Sequence, residues 1–338
     1  MICSRGNYLN SKTPLFRTIQ GTYMHTKESN QIPAANISME NWISLGVLSV
    51  IWGSAFVLVE VALQGVTPLW LAAWRITIAA AITNFFWFFH SRKLFLSDVR
   101  SWGLLIIFGL FSGALPFQLL AWGQQHVNSA YAGVAMSSVG LIILPLAHIL
   151  LPDQKITLTR LAGFLLGFAG VVILFGTDSI FLGNHSEYQS SGRLACFSAA
   201  FCYATSSILL RMLPPIDRIG VAAASLSIGA IVVIISALTF EGLPSGMNIS
   251  TLTAVTTLAI IPTAIGNILR IRVIRSAGPI FLSLVSYLVP LWAVIFGIIV
   301  MGETPESNLY PALLLILAGI GITQSRSIKS LFARNNHN

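Results

Sequence analysis

Apolar residues run through this chain in long blocks broken by short polar connections, from about residue 43 to residue 325. Ten such blocks are predicted, at 43–63, 69–89, 101–121, 129–150, 158–176, 194–210, 219–240, 251–269, 279–301 and 309–325. At 1.5 Å of rise per residue, about 20 helical residues match a hydrocarbon layer roughly 30 Å thick. An all-α integral membrane protein with ten transmembrane helices is therefore expected.

Charge adds orientation. Of 19 Lys and Arg, 17 fall in the even-numbered connections and the two tails. The odd-numbered connections hold only Arg193, and Arg75 lies inside a span. Acidic residues divide about evenly, as expected when cations alone set orientation. Both ends are predicted to be cytoplasmic. Composition agrees: 55% of residues are hydrophobic and only 9% charged, with a mean hydropathy of +0.80, where soluble domains carry about 25% charge. The net charge of +8 sits in short loops on one face, so topology and contact with anionic lipid heads explain it better than a nucleic-acid partner. Cys3, Cys196 and Cys202 have no metal-like spacing and imply no disulfide framework.

Residues 1–41 are polar and weakly patterned, as a disordered cytoplasmic tail would be. Their basic, Ser/Thr-rich start loosely resembles a transit peptide, and initiation at Met24 or Met39 is a further alternative. No secretory signal is visible: the first apolar block is too long, and no small-residue cleavage site follows it. Residues 326–338 form the other cytoplasmic tail.

The chain also matches itself at an offset of about 150 residues. Trp52-Gly53-Ser54-Ala55 followed by Leu71-Ala72-Ala73-Trp74-Arg75 falls opposite Tyr203-Ala204-Thr205-Ser206 followed by Ala222-Ala223-Ala224-Ser225-Leu226. Ser138-Val139-Gly140-Leu141 and Asp153 fall opposite Leu288-Val289-Pro290-Leu291 and Glu303. Two repeats of five spans follow, at 42–176 and 193–325, joined by an outer linker at 177–192. Because five is odd, the second repeat must enter the bilayer upside down. Inverted repeats are an architecture of secondary transporters, in which two similar halves exchange conformations around a shared midplane site.

Several of these segments have a specific likeness. Trp52-Gly53-Ser54-Ala55-Phe56, Leu71-Ala72-Ala73-Trp74-Arg75, Ser286-Tyr287-Leu288-Val289-Pro290-Leu291, Met301-Gly302-Glu303 and Ala318-Gly319-Ile320-Gly321 resemble signatures of EamA-type members of the drug/metabolite transporter superfamily. The resemblance covers residues 42–326. The first half departs from the pattern: Gly140 stands where proline is usual, Pro152-Asp153 replaces gly-glu, and Glu60 stands where relatives carry lysine or a neutral residue. The resemblance implies ten helices, cytoplasmic termini, a central cavity between the halves, and transport of small metabolites, often export of amino acids or related compounds. It also implies a multi-pass protein of a cell membrane, in a bacterium the inner one, with no cofactor.

Glu60 and Arg75 are the only ionised side chains inside the spans away from the cytoplasmic ends. A charge at the bilayer centre costs on the order of 3 kcal/mol on insertion scales, so each needs a reason. They could form an ion pair that locks two helices, or snorkel to the outer interface. They could instead line the cavity, Arg75 holding a substrate carboxylate and Glu60 a cationic group or a coupling proton. A second tier comprises Gln118 after Pro116, Asn267 after Pro262, the aromatics Trp52, Tyr203 and Tyr287, and Ser138 with its neighbour Ser137. Prolines free backbone carbonyls where a helix borders a cavity; the aromatics could stack on a flat solute or simply pack helices. Gly163, Gly167 and Gly170 form a small-residue face suited to helix packing, in a scaffold or a homodimer contact. His126 and His148 have no partner at metal spacing, and Arg270, Arg272 and Arg275 read as orientation charges.

No GxxxxGK[ST] phosphate loop is present, so energy must come from a gradient. An intramembrane enzyme would need a serine paired with a base, or clustered carboxylates, and a channel would need pore charges or a carbonyl filter. Neither pattern is evident. A secondary transporter is the reading carried forward, with an intramembrane enzyme or channel-like facilitator as its alternatives and an amino acid as the solute suggested by one Glu and one Arg.

Overall fold

In the computed structural model, residues 38–90, 98–150, 157–175, 187–214, 217–282, 284–319 and 321–322 are described. The tails at 1–37 and 323–338, and most of the linker expected at 177–192, lie outside them. The described residues are helical and contain no strand.

The helices are α1 (Met39–Leu63), α2 (Pro68–His90), α3 (Val99–Gly123), α4 (Ser129–Leu150), α5 (Leu158–Phe175), α6 (Glu187–Met212), α7 (Arg218–Phe240), α8 (249–282), α9 (Val285–Met301) and α10 (Leu309–Gly319). Among the described residues, seven are long and apolar enough to cross a membrane: α1 to α4, α6, α7 and, as far as Ala277, α8. Three shorter apolar helices, Leu161–Leu174, Leu288–Met301 and Leu309–Gly319, belong to α5, α9 and α10.

Polar side chains fix where several helices begin. Asp98 accepts from Ser101 N, Asn128 from Tyr131 N, Asp217 from Gly220 N and Asn248 from Thr251 N, at 2.8–3.2 Å. Each satisfies a backbone donor that the helix itself leaves unpaired, which matters most where water is scarce. The end of α9 is set differently. Gly302 adopts φ +65°, the left-handed region that a side chain would strain, and its N–H returns to the Ile298 carbonyl at 3.1 Å. That turn aims the Glu303 carboxylate at the start of α4.

Helices from the two halves of the chain pack on one another more than on their own sequence neighbours. α1 lies against α8 and α9, α2 against α7 and α8, α3 against α6 and α7, and α4 against α6 and α9. Exchanging α1–α5 for α6–α10 leaves this set of pairings unchanged: α2 with α7 and α4 with α9 map onto themselves, and the others interchange in twos. Two π-helical segments obey the same exchange: Leu110–Ala114 inside α3 and Ala259–Ile265 inside α8.

Close packing in lipid depends on small residues, because lipid tails are as apolar as leucine. A Cβ on Gly53 would strike the Trp292 side chain and one on Gly133 the Ala293 side chain, so α1 and α4 approach α9 closely. On α5, a Cβ at Gly170 would come within 2.9 Å of the Ala312 carbonyl and the Ile316 backbone of α10. A Cβ at Gly319 would overlap the Gly167 backbone and the Gly163 carbonyl. The glycine face of α5 is thus occupied by α10.

Candidate functional site

Between the halves lies a cavity of about 180 Å³, where one water needs only about 10–15 Å³. Helices α1, α2, α3, α4, α6, α8 and α9 all contribute to its wall, as do Leu226 of α7 and Gln124 of the turn after α3. The wall is mostly apolar with a few polar groups, the composition expected of a small-molecule site.

Arg75 enters from α2 and is 7% exposed. Its Nε–H donates to the Thr263 hydroxyl at 2.7 Å, and its guanidinium lies 4.0 Å from the centre of the Phe117 ring. The Thr263 hydroxyl donates in turn to the Leu258 carbonyl at 2.7 Å. The sequence explains this relay. Pro262 has no N–H to offer the carbonyl four residues earlier, and the helix widens there into the π segment, which brings Thr263 to the Leu258 carbonyl instead. The threonine hydroxyl adds its own hydrogen bond to that carbonyl and keeps a lone pair for Arg75.

Arg270 enters from α8 and is 6% exposed. One terminal nitrogen donates to the hydroxyls of Ser206 and Ser207 at 3.0 and 3.2 Å. Both serines donate back to the Tyr203 carbonyl at 2.9 Å. Tyr203 stands near enough to both guanidinium groups to interact with each, and its ring lies 6.4 Å from Phe117. The two arginines therefore share one apolar chamber. No aspartate or glutamate lines it among the described residues.

Trp52 and Asn267 also line this chamber. The Trp52 indole N–H donates to the Pro262 carbonyl at 3.2 Å, which fastens α1 to the π segment of α8. Gln124 lines it too: its amide donates to the Phe56 carbonyl at 2.9 Å, while its own oxygen has no partner among the described residues. Of the residues singled out from sequence, Trp52, Arg75, Tyr203 and Asn267 come together here.

Glu60, Gln118 and Ser138 are absent from the wall, and the side chain of Tyr287 lies outside the described residues. Phe117 and Leu120 face the cavity in place of Gln118. Gln118 follows Pro116, but a proline marks only the level of a possible break along the helix and not which face borders the cavity, and the π segment just before it shifts that face by about 100°. Ser137 lines the cavity, whereas Ser138, at the one-residue break between the two parts of α4, is fully buried elsewhere.

Glu60 does not meet Arg75. It faces Glu303 and Ser129 at the far end of α1. Glu303 accepts from Ser129 N at 2.9 Å, Ala130 N at 3.1 Å and the Ser129 hydroxyl, capping α4 from across the molecule. One Glu60 oxygen is buried with no hydrogen-bond partner among the described residues. Two further carboxylates tie the same end: Glu241 accepts from Leu69 N and Trp70 N at 3.1 and 3.2 Å, and Glu306 pairs with the buried Arg193 at 2.8 Å. At the opposite end Arg272, which is exposed, pairs with Glu40 at 2.6 Å.

Arg270 departs from its neighbours. A span eight that stops at residue 269 places Arg270 with Arg272 and Arg275 among the orientation charges. The apolar helix runs to Ala277, which leaves Arg270 about two turns inside it. A buried arginine next to a hydroxyl pair on another helix could have been suspected only once that length was known.

Comparison with known proteins agrees with this architecture. The EamA-like transporter family matches residues 41–176 and again residues 190–324. This chain belongs to that family. It is thereby an integral membrane transporter of the drug/metabolite transporter superfamily. An uncharacterized transporter of Bacillus subtilis, YoaV, is 25% identical over 286 residues, which cover 82% of this chain and 95% of that protein. The WAT1-related chloroplastic protein At3g02690 of Arabidopsis thaliana is 26% identical over 76% of this chain, which spans 62% of that longer protein. The uncharacterized inner membrane transporter YedA of Escherichia coli K12 is 24% identical, covering 77% of this EamA-family chain and 83% of that protein. A solved crystal structure shares the fold, with a TM-score of 0.60 and 22% identity over 84% of this chain and 96% of the other.

Proposed function

We propose that this EamA-family protein is a secondary transporter that carries a small metabolite by alternating access through the chamber between its two halves. The observation that carries this reading is the cavity wall itself. It is assembled from both halves and holds two buried arginines where lipid-facing helices would hold none.

Ten crossings in two inverted five-helix repeats, residues 42–176 and 193–325, are part of the proposal, as are cytoplasmic termini. Two separate family matches, the exchange-symmetric packing and the paired π segments support the repeat. The distribution of Lys and Arg supports the orientation. Export is the direction that the family resemblance suggests. In this scheme Glu60 carries a coupling proton, since it faces another carboxylate at an end of the molecule that polar contacts hold closed.

Counterflow in liposomes containing the purified protein, with a panel of metabolites of each charge type, tests the carrier reading. Saturable exchange of at least one solute is expected. A non-saturating conductance would indicate a channel, and chemical conversion of the solute would indicate an enzyme.

A further inference from the structure

We infer that the chamber selects a small organic anion bearing two negative charges, a dicarboxylate or a phosphomonoester, held between Arg75 and Arg270. This rests on the transporter reading and narrows it.

The inference starts from charge balance. Both guanidinium groups are more than nine-tenths buried and enter one cavity. A buried cation is costly unless it is paired, and neutral hydroxyls compensate only in part. Arg75 uses its Nε on Thr263, and Arg270 uses one terminal nitrogen on Ser206 and Ser207. The remaining donors of both groups have no protein acceptor among the described residues, and no carboxylate lines the wall. The protein thus supplies two fixed cations and no counterion. Guanidinium forks bind carboxylate and phosphate oxygens in paired hydrogen bonds, so the complement is an anion able to reach both.

The same geometry argues against a zwitterion. An amino acid would need an acidic partner for its ammonium group, and the candidate, Glu60, lies outside the chamber beside Glu303. A cation would meet two like charges in an apolar setting. A neutral solute would leave both arginines uncompensated. Tyr203, near both guanidiniums, and the open amide of Asn267 offer donors to the same anion.

The test uses the full chain, purified and reconstituted. Succinate, glycerol 3-phosphate, butyrate, alanine and putrescine are compared as counterflow substrates and as competitors, alongside thermal-shift binding in detergent. Succinate or glycerol 3-phosphate should bind at least about tenfold more tightly than butyrate, the scale of one charge-assisted pair. Which of the two is preferred separates a carboxylate site from a phosphate site. Arg270→Gln and Arg75→Gln should each erase the advantage of the dianion over butyrate, and the lysine variants should restore part of it. Arg272→Gln, on the exposed surface, should match the wild type. If either glutamine variant fails to fold, the ranking of solutes by the wild-type protein still decides. Transport of alanine or putrescine without competition from either dianion would overturn the inference while leaving the transporter reading intact. Failure of solutes of every charge type to bind or exchange would overturn both.

Discussion

The Nε–H of Arg75 donates to the hydroxyl of Thr263 at 2.7 Å, joining α2 of the first half to the π segment of α8 in the second. One hydroxyl thereby serves a proline-freed carbonyl and a buried guanidinium at once. Thr263→Val removes both services while keeping the shape. It should lower stability by about 1–3 kcal/mol, the penalty for stranding buried polar groups, and Thr263→Ser should recover most of the loss. Thermal unfolding in detergent measures both; equal melting of the valine and wild-type proteins would show the relay to be dispensable.

Glu303 and Glu60 should respond to neutralisation with opposite signs. Glu303 accepts three hydrogen bonds at the start of α4, where the helix dipole also favours a negative charge. Glu303→Gln should therefore destabilise by on the order of 1 kcal/mol. Glu60→Gln removes a carboxylate that faces another and offers an amide donor in its place, so it should raise the melting temperature near neutral pH. A fall in both variants would contradict the described contact.

The proton role of Glu60 is separable from its effect on stability. If Glu60 carries the coupling proton, transport by Glu60→Gln should lose its dependence on a pH gradient while solute counterflow, which needs no net proton movement, persists. An unchanged response to the gradient would remove Glu60 from the coupling scheme.

Backbone contact between α5 and α10 predicts strong sensitivity to added volume. Gly319→Val or Gly170→Leu should cost on the order of 3 kcal/mol or more, since a Cβ at either glycine meets backbone atoms that cannot rotate away. Gly46→Ala, where nothing lies within 4 Å of the added carbon, should be tolerated. Expression and monodispersity in detergent report the difference.

Much of this was legible in the chain because lipid imposes length and charge rules that hold residue by residue. The apolar blocks followed from such rules, and Trp52, Arg75, Tyr203 and Asn267, singled out as polar or aromatic residues within those blocks, lie on one cavity wall. What escaped was register. Pro116 gave the level of Gln118 in α3 but not its face, and downstream of the π segment at Leu110–Ala114 it is Phe117 and Leu120 that line the wall. The length of α8 moved Arg270 from a loop into the chamber. The pairing of Glu60 also escaped, because its partner Glu303 is brought to it by a left-handed turn at Gly302 more than 200 residues away. Depth alone had suggested Arg75.

Access to the chamber from each side of the membrane tests the central claim most directly. With Cys3, Cys196 and Cys202 replaced, Asn267→Cys places one thiol on the cavity wall. A membrane-impermeant thiol reagent should label it when added from either face of sealed vesicles, and a transported solute should slow labelling from both. Labelling from one face only, unaffected by any solute, would contradict a pocket that opens alternately to the two sides.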